Sequence, residues 1–121
     1  MSDNVIEIES FEKLNSLMKS MEFSVRWLVR SEIGPGWIGS SRTIDFYLDN
    51  YILSENEFCT VLKKRLIESI PIPNKSKDHV INGYGDITLK NNQLEIAYEW
   101  DSTIPYQHPS EFKEGKTIFF P

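Results

Sequence analysis

Cysteine is almost absent from this sequence. Cys59 is the only one among 121 residues, so no internal disulfide is available and no cysteine pair can hold a metal. Histidine is nearly as scarce. His79 and His108 lack the i, i+4 helical spacing of a paired-histidine site, and neither stands near Cys59 in sequence to serve as its base. Long apolar runs are missing too: the longest span only a few residues, against the roughly 20 that a membrane-crossing helix needs. The start, MSDNVIEIES, has no basic segment followed by an apolar stretch and a small-residue cleavage site, so the chain reads as cytoplasmic. No glycine-rich loop runs from a strand into a helix with a Lys-Ser or Lys-Thr end, because GPGWIGSS lies between two strand patterns. Internal repeats and low-complexity tracts are absent as well. Disulfide scaffolds, zinc modules, membrane spans and phosphate cradles are thereby set aside.

There is no positive surplus. Thirteen Lys and Arg stand against eighteen Asp and Glu, a formal net charge of −5, and the excess is concentrated before residue 61. Phosphate backbones repel such a chain, since binding them requires Lys and Arg to displace counterions. Direct nucleic-acid binding is disfavoured, and the same charge favours a basic protein partner.

What is present is a chain long enough for one core, read as a single domain over residues 1–121. Phe11, Leu14, Leu17, Met18 and Met21 recur at helical spacing after Ser10, predicting an N-capped amphipathic helix from about 10 to 21. The period then changes to two. In FSVRWLVRS, Phe23, Val25, Trp27 and Val29 share one face and Arg26 and Arg30 the other. In RTIDFYLD, Ile44, Phe46 and Leu48 alternate with Asp45, Tyr47 and Asp49, so antiparallel pairing of the two strands would bring the arginines to the aspartates. Between them EIGPGWIGSS reads as a loop that holds Trp37 between glycines. There the indole serves either as an exposed anchor for a partner or as a lid folded back over the sheet.

A second helix is predicted from Ser54, with Glu57 completing a capping box and Leu53 stapling Phe58. Phe58, Val61, Leu62, Leu66 and Ile70 form its apolar stripe, and Pro71 ends it. Asn91-Asn92 then suits a two-residue hairpin turn between GYGDITLK and QLEIAYEW. That register sets Gly85 opposite Tyr98 and Gly83 opposite Trp100, a pairing in which each ring would cover its glycine. Leu94, Ile96, Tyr98 and Trp100 make the face a helix would cover. Asp86, Glu95 and Glu99, with Asp101 just beyond, lie on the other face, either as ordinary solvated acids or as a carboxylate patch for cationic side chains. The expected fold is therefore α+β, an antiparallel sheet of four to five strands with two helices packed on one face, KTIFFP supplying the last strand.

The segment from Gly83 to Trp100, GYGDI followed by a turn and LEIAYEW, resembles one that recurs in small bacterial immunity proteins of polymorphic and contact-dependent toxin systems. There a Gly-x-Gly strand precedes a strand ending in Tyr-Glu-Trp. The resemblance spans under a fifth of the chain. It implies a cytoplasmic, non-enzymatic inhibitor that binds one cognate toxin domain and blocks its active site or substrate entrance, with no catalytic residues to carry over. The candidate partner-binding residues are Trp37 and Tyr47 as anchors and Asp45, Glu95, Glu99 and Asp101 as charge partners for a basic toxin domain. No cofactor or metal is called for, and the sequence sets no oligomeric state. The alternatives are a small metal-dependent hydrolase using His108 with Asp101 and Glu111, or a non-inhibitory adaptor subunit.

Overall fold

The computed structural model describes residues 4–34, 37–70, 80–103 and 111–120, with those at 30–34, 37–41, 102–103 and 111–112 described by backbone alone. In chain order the elements are β1 (Val5–Ile6), α1 (Phe11–Leu17), β2 (Phe23–Gly34), β3 (Trp37–Leu48), β4 (Tyr51–Leu53), α2 (Glu57–Ser69), β5 (Val80–Lys90), β6 (Gln93–Thr103) and β7 (Glu111–Phe120). The fold is α+β. Its strands form one sheet of order β1-β4-β3-β2-β5-β6-β7, antiparallel except where β1 runs parallel to β4. The expectation of four to five antiparallel strands is thus corrected to seven among the described residues, one pairing being parallel. The short β1 and β4 carry too few residues to show a period, and β7 begins well before Lys116.

Local chemistry sets the helix ends, though not always at the predicted residue. Ser10 caps α1 by accepting from the Lys13 amide, but the helix stops at Leu17 rather than running to Met21. Beyond it the chain is turned into β2 by a reciprocal clasp: the Glu22 amide donates to the Asp49 carboxylate, and the Asp49 amide donates to the Glu22 carbonyl. Asp49 therefore stands past the end of β3, φ 52°, and does not meet Arg30, which pairs with Ser41. For α2 the cap is Asn56, not Ser54. Asn56 Oδ1 accepts from the Cys59 amide at 2.8 Å while Nδ2 donates to the Ile8 carbonyl at 2.9 Å. One amide side chain thus closes the helix end through its oxygen and ties it to a distant segment through its nitrogen. Ser54 is occupied otherwise, its backbone amide extending the β1–β4 ladder to Ile6. At the far end Ile70 is extended, φ −119° and ψ 124°, as a residue before proline must be.

The buried residues form one cluster between the helices and one face of the sheet. Leu14 of α1 and Cys59, Leu62 and Leu66 of α2, with Ile70, meet Phe23, Val25, Trp27 and Val29 of β2, Ile44, Phe46 and Leu48 of β3, and Leu94 and Ile96 of β6. Cys59 takes the place in the stripe that Val61 was expected to fill; Val61 is exposed. The sheet curls strongly over this core. Four strand spacings separate β3 from β7, about 19 Å in a flat sheet, yet the Phe119 ring stacks on Phe46 with centroids 6.3 Å apart. Among the described residues no helix is long and apolar enough to cross a membrane.

The β5–β6 hairpin has the predicted register, Lys90 opposite Gln93 through Gly83 opposite Trp100, with Asn91 and Asn92 both at positive φ. The rings over its glycines are different ones. Trp27, paired with Gly83 from the other side, fills the space where a Cβ would lie, 1.8 Å from its Cε2. Tyr98 covers Gly115 of β7, and Gly85 is closed by Ile96. The β2–β3 hairpin is also tighter than expected: its ladder continues to Gly34 opposite Trp37, so residues 35–36 alone connect the strands. Trp37 opens a strand instead of standing within a loop, and its side chain lies outside the described residues.

Candidate functional site

Alternation delivers every second residue of β3, β2, β5, β6 and β7 to the face that, among the described residues, no helix covers. The registers align them in rows across five strands. The central row reads Asp45, Arg26, Tyr84, Glu99, Glu114; a flanking row reads Tyr47, Ser24, Asp86, Ala97, Lys116; the other flank includes Thr43, Leu28, Asn82 and Asp101. β2 is the middle strand of the seven, so Arg26 lies near the centre of the face.

Arg26 and Tyr84 form its focus. The guanidinium carbon is 5.9 Å from the centroid of the Tyr84 ring, and the phenol donates to Asp86 Oδ1 at 2.5 Å. Ionising that phenol would set two anions side by side, so the hydrogen bond to Asp86 holds the Tyr84 pKa above the ordinary tyrosine value, with burial adding to the effect. Tyr84 remains 38% exposed, presenting an aromatic surface braced by an arginine on one side and a carboxylate on the other.

Shallow, open grooves surround this pair. One of about 290 Å³ runs beside Arg26, Asp45, Tyr47 and Asn82; one of about 280 Å³ lies among Arg26, Asn82, Tyr84, Glu99 and Asp101. A third, about 600 Å³, extends from Tyr84 and Asp86 past Glu99 to Glu114 and Lys116. Carboxylates dominate the rims. Asp45, Asp86, Glu95, Glu99, Asp101 and Glu114 face outward against the cations Arg26, Lys90 and Lys116, and both lysines approach Glu95, at 3.9 and 3.5 Å.

Of the residues singled out from sequence, Asp45 and Tyr47 share one groove and Glu99 and Asp101 the next, with Arg26 and Asn82 common to both. Glu95 stands apart, held by its two lysines. Trp37 is placed only by its backbone at the tip of the β2–β3 hairpin. Sequence reading passed over Tyr84 and treated Arg26 only as a partner for aspartate. Tyr84 carries a local signal, an aromatic between two glycines, but its meeting with Arg26 depends on β2 lying beside β5.

No family model, curated protein or solved structure matches the chain.

Of the groups relevant to an enzymatic reading, Asp101 lines the groove beside Arg26. Cys59 is buried, 1% exposed, and desolvation pushes its thiol pKa up against the smaller opposing pull of Lys63; it is core, not nucleophile. Among the described residues no three His, Cys, Asp or Glu side chains gather to hold a metal ion. His79, His108 and the side chain of Glu111 lie outside the described residues.

Proposed function

We propose that this chain is an immunity-type inhibitor that docks the uncovered face of its sheet onto the basic surface of one cognate toxin domain and occludes that domain's active site or substrate entrance. The observation that carries the reading is the Arg26–Tyr84 pair at the middle of the open face, ringed by Asp45, Asp86, Glu99 and Asp101. Tyrosine and arginine are the residue types that dominate binding energy at protein interfaces, and surrounding acids speed and orient the encounter with a cationic partner. Small-molecule sites are concave and mostly apolar, whereas these grooves are open and acid-rimmed, which favours a macromolecular partner. Tyr47 adds a second aromatic on the same face.

The test is rescue of growth in cells expressing the toxin domain encoded beside this protein, followed by co-purification and affinity measurement. Tyr84→Ala should weaken the complex by about 2 kcal/mol or more, roughly thirtyfold. Glu99→Arg and Asp101→Arg should slow association and lose rescue while the protein stays folded. A folded, expressed pair that gives neither rescue nor complex would remove the inhibitor reading for that toxin.

A further inference from the structure

The two edges of the sheet are unlike. One is closed by β1, only two residues long, whereas the other is β7, a strand of ten residues whose only strand neighbour among the described residues is β6. A long strand edge is a template for another strand, and proteins usually blunt it with charged side chains, proline, a bulge or a covering helix or loop; here α2 lies against β7, and the charges along the strand are of both signs. β7 contains no proline from Glu111 to Phe120, and its single register shift lies beyond Ile118, leaving the stretch before it regular. Its charges also change sign about Gly115: Glu114 precedes it and Lys116 follows, both exposed and both on the open face.

We propose that β7 is a homodimerisation edge, pairing antiparallel with β7 of a second copy about a two-fold axis at Gly115, so that two sheets become one. In that register Gly115 faces its own counterpart, Glu114 of each chain faces Lys116 of the other, and Lys113 faces Thr117. The symmetry makes each attraction occur twice, as an isologous contact requires. A second feature points the same way. Within one chain Glu114 stands directly opposite Glu99, a like-charge pair that disfavours the isolated sheet. The partner strand brings an ammonium to it. Lys116, 64% exposed and 3.5 Å from Glu95, has three donors, so it can keep that contact while reaching across the new edge. Blunting charges of one sign would repel a second copy, whereas this pattern attracts one in a single register.

Sedimentation velocity on the full chain, over a series up to about 500 μM, tests this with charge swaps that separate register from general stickiness. The unmodified chain should show a concentration-dependent dimer. Lys116→Glu alone and Glu114→Lys alone should each weaken it about tenfold or more, because each sets like charges opposite one another twice. An equimolar mixture of the two single variants should dimerise, and the double variant Glu114→Lys with Lys116→Glu should recover the homodimer. Circular dichroism checks that every variant is folded. A monomer throughout the series, a dimer indifferent to the single reversals, or single variants that fail to pair when mixed would overturn the proposal.

Discussion

The two faces of one sheet are built on different physics. Toward the helices, Phe23, Phe46 and Phe119 stack in sequence and Trp27 fills the space above Gly83, so shape is specified to a fraction of an ångström. Away from them, Asp45, Arg26, Tyr84, Glu99 and Glu114 make a row in which exposed charges and one hydrogen bond contribute little to folding. Residues that do little for the fold are available for recognition. The comparison teaches that the residues that set stability and those left exposed on the open face lie on opposite sides of the same strands, separated by a single step in the alternation.

The sharpest way to break this comparison uses two neighbours on β5. Gly83→Ala would place a methyl 1.8 Å from the Trp27 ring, which is 3% exposed and cannot yield freely, so unfolding free energy should fall by about 3 kcal/mol. Asn82→Ala, one residue earlier on the open face, should stay within about 0.5 kcal/mol of the parent in the same denaturant titration. Equal effects at the two positions would dissolve the distinction between the faces.

A smaller effect is expected at the start of α2. Asn56→Ala should cost about 1–2 kcal/mol, since it frees both the Cys59 amide and the Ile8 carbonyl. Ser54→Ala should be neutral or slightly stabilising, because the buried Ser54 Oγ has no hydrogen-bond partner among the described residues. The reverse ranking in thermal melts would return the cap to Ser54.

The smallest effect lies on the open face. Asp86→Asn should leave stability at neutral pH within about 0.5 kcal/mol and lower the Tyr84 titration toward the ordinary tyrosine value of about 10. The folded protein holds the phenolic proton more tightly than the unfolded chain does. The stabilisation this implies is complete below the unfolded pKa and is lost as pH rises through the raised folded one. Titration followed by phenolate absorbance or tyrosine NMR shifts reads this directly, and an unmoved Tyr84 midpoint in Asp86→Asn would show that the Asp86 hydrogen bond is not its cause.

The sequence by itself determined whatever is local or periodic. Asn91-Asn92 set the turn and the whole β5–β6 register, because positive φ at both positions leaves one two-residue hairpin geometry and alternation admits one phase. Period two in β2 and β3 assigned their residues to faces, and Ser10 marked the start of α1. Ser54 misled because its capping box satisfies the same local pattern as Asn56, while the choice between them rests on a hydrogen bond to Ile8, reached only after folding. Tertiary structure alone decided that β2 lies beside β5, which puts Arg26 against Tyr84 and Trp27 over Gly83, and that the sheet curls until β7 approaches β3. Those contacts join residues far apart in the chain, and their energy depends on fit between side chains from separate elements. No window of sequence contains both partners.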